Sequence, residues 1–122
     1  MARENYFNKG DHYSEFHRQF DGLAMIDIDA VEICKKCKTP LAVIETAFDK
    51  GQNFKSFIVT KTIADRLNVP GLVTLYQVDL KTDEIINFRV KKIAPKESDG
   101  FFSVPPYLYV AWLKRIHDKH KC

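Results

Sequence analysis

The chain has 122 residues, 45% of them hydrophobic, with 19 Lys and Arg against 16 Asp and Glu for a formal net charge of +3. That is enough for one domain with a single core, and the isoelectric point near 8.7 permits a polyanionic partner without demanding one. No run approaches the roughly 18 apolar residues of a membrane span, the first residues lack a signal-peptide core, and three cysteines make no paired disulfide framework, so a cytoplasmic protein with no membrane partner is expected.

Residues 11–20 are expected as a first helix, because Tyr13, Phe16 and Phe20 recur at helical spacing and Asp11 can cap it. Residues 23–34 (LAMIDIDAVEIC) and 41–48 (LAVIETAF) read as two strands, and the short link between them (KKCKTP) leaves room only for a hairpin turn. A second helix is expected over residues 52–67, with Phe54, Phe57, Ile58, Ala64 and Leu67 as its buried stripe, stopped by the NVPG run at 68–71. Residues 72–78 are apolar on both faces, as in a central strand reached by a crossover helix. A turn over 79–84, an alternating strand over 85–93 and a loop over 95–103 follow. The last helix runs from 105 to about 119, with Leu108, Ala111, Trp112 and Ile116 inward, and Phe101, Phe102, Tyr107 and Tyr109 are also expected to cover the core. The whole is a single α/β domain, a central mixed sheet of about four strands flanked by helices in the order αββαββα.

Three acids stand out within the hairpin runs. Strand interiors rarely carry carboxylates, because an ionised group removed from water is costly unless compensated. A turn centred on Cys37 pairs residues whose numbers sum to about 74. Asp29 then lies across from Glu45, with Asp27 two residues along on the same face. Facing carboxylates need a cation, a shared proton or solvent. A divalent metal is the answer that carries chemistry, and a solvated face of a one-sided sheet is the alternative.

The order α-β-β-α-β, the run Asp27-Ile28-Asp29-Ala30-Val31-Glu32 and the run Pro40-Leu41-Ala42-Val43-Ile44-Glu45 resemble the PD-(D/E)xK nuclease-like superfamily, and within it small phage and bacterial proteins. The resemblance covers roughly residues 10–80 and implies a restriction-endonuclease-like core. It also implies Mg2+ or Mn2+ held by Asp27, Asp29 and Glu45, with Glu15 of the first helix as a further carboxylate, acting on nucleic-acid phosphodiesters. Such a metal neutralises charge that develops on phosphate oxygens. The superfamily's lysine, two residues after the glutamate, is Ala47 here. Either an ammonium arrives from Lys50, Lys55 or Lys61, with Asp29, Glu45 and Lys50 then the catalytic set, or the site binds without cutting.

A second constellation is Cys34-Lys35-Lys36-Cys37 on the hairpin link, half of a tetrahedral zinc site. His117, His120 and Cys122 close the chain, and four ligands could assemble from these five residues into a structural Zn2+ site if the last helix packs near the hairpin. A redox pair and unpaired thiols are the alternatives. Third, Arg18, Lys55, Lys61, Arg89 and Lys91 are candidate phosphate contacts, though charges on an outer strand commonly guard against aggregation instead. Two functions are therefore expected as alternatives: a metal-dependent nuclease, or a non-catalytic nucleic-acid- or protein-binding module of the same fold.

Overall fold

Whether an aliphatic run becomes a strand here depends on a neighbour being free to pair with it. In the computed structural model, which describes residues 12–26 and 28–122, the elements are α1 (His12–Arg18), β1 (Ala30–Ile33), β2 (Pro40–Phe48), α2 (Ile58–Leu67), β3 (Gly71–Val78), β4 (Ile85–Ala94), β5 (Phe102–Val104) and α3 (Pro106–Lys119). The strands form one mixed sheet in the order β1-β2-β3-β4-β5. β2 and β3 are parallel, and the other three pairings are antiparallel. A parallel pair needs a crossover, and α2 supplies it. The chain is thus a small α/β domain with a five-stranded sheet, and among the described residues no helix is long and apolar enough to cross a membrane.

Side chains alternate across the sheet. Ala42, Ile44, Leu72 and Val90 lie on one face beneath Tyr109, Trp112, Leu113 and Ile116 of α3. On the other face, Val43, Ala64 and Ala94 pack together with Ile63 and Val69, and Val73, Leu75 and Ile93 pack with Phe57 and Phe101. α2 comes very close: a Cβ on Gly71 would stand 3.0 Å from that of Ala64 and 3.3 Å from that of Ala94. Small residues at all three points let helix and sheet touch. α3 has no fully buried residue, and an apolar cavity of about 310 Å³ lies against Tyr109 and Trp112. Its hold on the sheet is correspondingly lighter.

The hairpin has the expected register: Ala30 pairs with Ile44, Val31 with Val43 and Glu32 with Ala42. The run 72–78 is the middle strand, as its two apolar faces predict. Several expectations are corrected. β1 spans Ala30–Ile33 rather than 23–34, because the carboxylate of Asp29 accepts the Thr46 N–H at 2.9 Å. That takes the donor the next ladder bond would use, and Leu23, Met25, Ile26 and Ile28 remain exposed. α2 begins at Ile58, not 52, since the Gln52 side chain folds back onto the Phe48 carbonyl and the Lys50 N–H. Its buried positions are Thr60 and Ala64, while Phe54, Ile58 and Leu67 are exposed. The loop after β4 contains the unexpected strand β5, paired with Phe88, Arg89 and Val90. On α3, Leu108 and Tyr107 face solvent and Phe102 is exposed. Asp11 and Asp27 lie outside the described residues.

Asp49, just past β2, ties that strand's end to β4 across β3. Arg89 of β4 donates Nε and Nη2 to its two oxygens at 2.9 and 2.8 Å, and Nη2 also reaches the Gln52 carbonyl. The Asp49 side chain is only 3% exposed. The hydrogen bond from Arg89 holds its carboxyl below the usual aspartate range. Asp49→Asn should therefore lose about 1–3 kcal/mol at neutral pH. A depressed folded pKa stabilises above the unfolded value near 3.9 and is lost as pH falls through the lower folded value. The gap in urea midpoint between wild type and Asp49→Asn should be constant above about pH 5 and shrink below about pH 4. A gap independent of pH would refute it.

Candidate metal centre

The hairpin link and the end of α3 meet at one corner. Cys34 donates its N–H to the Thr39 carbonyl and accepts from the Lys38 N–H, both at 2.9 Å. Lys38 takes a left-handed φ of 66° to close the turn. This presents Cys34 and Cys37 from a tight loop. At the other side α3 stops at His120, whose backbone is extended (φ −80°, ψ 139°). Leaving the helix there lets His120 and Cys122, two residues apart, point the same way.

Cys34, Cys37, His120 and Cys122 place their ligand atoms within 4.8 Å of one another, close enough to hold a metal ion. The Sγ atoms of Cys34 and Cys122 are 3.6 Å apart, and Cys37 Sγ is 3.2 Å from His120 Nε2. Ligands around a tetrahedral ion at Zn–S distances of about 2.3 Å sit about 3.8 Å apart. Three sulfurs and one imidazole are a donor set suited to a soft or borderline cation such as zinc. It is a poor one for Mg2+, which takes oxygen.

The protonation pattern suits this chemistry. Hydrogen bonding from Thr39, at 3.1 Å, and then from His120 and Cys122 pulls the Cys37 thiol down to about 5. Its thiolate, the form that binds metal, is therefore present at neutral pH. Hydrogen bonding to Cys37 and then to Cys34 pushes the Cys122 thiol up to about 11, and metal binding at a thiol releases its proton. His117, expected among the ligands, stands apart. It lies within α3, and its Nε2 is 2.8 Å from Oε2 of Glu32 on β1. That contact ties α3 to the sheet beside the cluster.

The acids are arranged differently. Glu45 on β2 is buried, its side chain 12% exposed. Lys55 donates to Oε2 at 3.0 Å, and the Thr60 hydroxyl of α2 donates to Oε1 at 2.9 Å. The ammonium beside Glu45 is thus that of Lys55. Lys50 is exposed in the turn after β2. Asp29 uses one oxygen on Thr46 N–H, and Glu15 is exposed on α1. Among the described residues, Glu15, Asp29 and Glu45 form no group of three ligands around one point.

Of the candidate phosphate contacts, Lys55 faces Glu45, Lys61 faces Asp65, Arg89 faces Asp49 and Lys91 faces Glu97. Lys91 and Arg89 also lie over the rings of Phe57 and Phe101. Arg18 is exposed at the end of α1. Sequence reasoning missed Thr60 and Glu32. Thr60 shares a helix face with Ala64, so a polar residue on that stripe was its signal; nothing local marks Glu32 as the partner of His117. Comparison with protein families, curated proteins and solved structures found no match.

The Glu45–Lys55–Thr60 contacts give a direct test. Lys55→Met leaves a nearly buried carboxylate without its countercharge and should cost about 1–3 kcal/mol. Adding Glu45→Gln should recover most of that loss, since the amide oxygen still accepts the Thr60 hydroxyl. Urea unfolding of both variants would show it, and additive losses would contradict the pairing.

Proposed function

We propose that this chain is a zinc-stapled domain of the PD-(D/E)xK nuclease-like type, working as a non-catalytic binding module. One observation carries the non-catalytic reading: both oxygens of Glu45 are engaged, by Lys55 and Thr60, in a nearly buried position. A divalent ion at Glu45 would have to displace the ammonium, and Ala47 offers no second one. The zinc is structural, because three cysteines and a histidine complete a tetrahedron and leave no open position for substrate. It joins the β1–β2 link to the end of α3, a helix with no fully buried residue. A protein surface is favoured as partner over a nucleic-acid backbone. Four of the five candidate cations already face acids of their own chain, while Tyr13, Phe16 and Phe20 are exposed on and beside α1.

A second reading is favoured by Lys55 itself. Its 3.0 Å contact with Glu45 supplies the charge missing at Ala47, so a metal-dependent nuclease with a displaced lysine is the alternative. Supercoiled plasmid and single-stranded DNA incubated with Mg2+ or Mn2+ should stay intact under the non-catalytic reading. Robust nicking that disappears in Glu45→Gln would establish the nuclease. DNA retention that weakens steeply with salt would restore the phosphate-contact role.

The metal is tested separately. The protein should take up one equivalent of Co2+ with thiolate-to-cobalt absorption and tetrahedral ligand-field bands, displaced by Zn2+. Cys37→Ser and His120→Ala should weaken uptake at least tenfold, as loss of a ligand does, whereas His117→Ala should keep full stoichiometry. Chelation should lower the melting temperature and shift Trp112 fluorescence as α3 loosens. Unchanged melting with and without chelator would rule out a structural metal.

A further inference from the structure

The geometry points to a second state of the same corner: we infer that Cys34 and Cys122 form a reversible intramolecular disulfide under peroxide, releasing the metal and replacing it as the link between the β1–β2 turn and the end of α3. The inference rests on the metal reading above for what is released, and on sulfur geometry for which bond forms.

Three thiols offer three pairings, and the structure separates them. The Sγ atoms of Cys34 and Cys122 are already 3.6 Å apart, so a disulfide needs them to close by about 1.5 Å. Cys37 also lies beside Cys122, but its sulfur is engaged with Thr39 Oγ1 at 3.1 Å and His120 Nε2 at 3.2 Å. The Cys34–Cys37 alternative would also have to deform a turn held by the bonds of Cys34 to Thr39 and Lys38. Cys37 and Cys122 are exposed and Cys34 only partly so, so within the Cys34–Cys122 pair Cys122 is the sulfur an oxidant reaches first.

The chemistry balances with hydrogen peroxide as oxidant. The Cys122 sulfur gives its proton to solvent and attacks the O–O bond as thiolate, giving a sulfenic acid and, with that proton, one water. The Cys34 sulfur then attacks that sulfenic sulfur, forming the S–S bond and expelling the second oxygen as water. Two thiols lose two electrons and one peroxide gains them. Where the thiols begin as metal-bound thiolates, solvent supplies the two protons and the cation leaves. Only Cys37 and His120 remain as ligands, and two ligands do not complete a tetrahedral site. Thiol reductants reverse the bond and restore metal uptake. The corner stays cross-linked in both states, so α3 keeps its anchor while the metal is given up.

The test uses the full chain as purified, treated with a few equivalents of hydrogen peroxide. A chromogenic chelator should report one zinc released per chain as two thiols disappear from a thiol count, and both should return with dithiothreitol and added Zn2+. Tryptic mapping without reduction identifies the pair, since cleavage after Lys35 and Lys36 separates Cys34 from Cys37. A peptide linking Cys34 to Cys122 supports the inference. A Cys34–Cys37 or Cys37–Cys122 peptide, intermolecular dimers, or oxidation to sulfinic acid without a disulfide would overturn it. Cys37→Ser should still form the bond and Cys34→Ser should not, with the wild-type map decisive if either variant fails to fold. Protein that carries no metal and takes up none would sink the zinc reading, while the same peptide map would still decide the pairing.

Discussion

Burial of β2 and β3 on both faces is the constraint on which the rest of this structure depends. A polar group on a strand covered from both sides has no water to turn to, so each must find a partner within the chain. Thr74, 1% exposed, meets the Tyr109 hydroxyl at 3.1 Å, and burial in turn pushes the Tyr109 pKa up. Glu45 is answered by Lys55 and Thr60, and Asp49, just past the end of β2, by Arg89. Among the described residues no buried side-chain nitrogen or oxygen is left without a partner. The cations that answer these acids are the same ones a nucleic-acid surface would need free, so satisfying the core restricts the functions open to the surface.

The two helices cover the sheet by different means. α2 is held by close contact, through Gly71, Ala64 and Ala94, where small residues bring backbones together. α3 lies over Ile44, Leu72 and Val90 with a cavity beside it. Its far end is tied by polar groups instead: Glu32 with His117, and the cluster of Cys34, Cys37, His120 and Cys122. Cross-links at a lightly packed end contribute where apolar area does not, which is the physical case for a metal, or a disulfide, at that corner.

Much of the sheet is legible in the order of residues along the chain. The β1–β2 register follows from turn length and parity, and the central place of residues 72–78 from their apolarity on both faces. The Cys-x-x-Cys turn and the His/Cys tail are visible as half-sites, but their meeting depends on α3 running back to the β1 edge. The shortening of β1 has a local cause that hydropathy does not carry: the Asp29 side chain takes the Thr46 N–H. Phe54, Phe57 and Ile58 suggest a helix from residue 52, yet the folding of Gln52 onto Phe48 delays it by six residues.

By itself the sequence determined the class of fold, the hairpin pairing and the residue types able to hold a metal, because periodicity, turn length and donor chemistry are local properties. Only tertiary structure decided which of five candidate ligands converge, since His117 and His120 share a helical spacing but the chain leaves α3 at His120 and redirects it. It also decided that Lys55 rather than Lys50 meets Glu45. That choice turns on how a non-helical segment crosses the sheet, and no pattern of residues along the chain encodes the path.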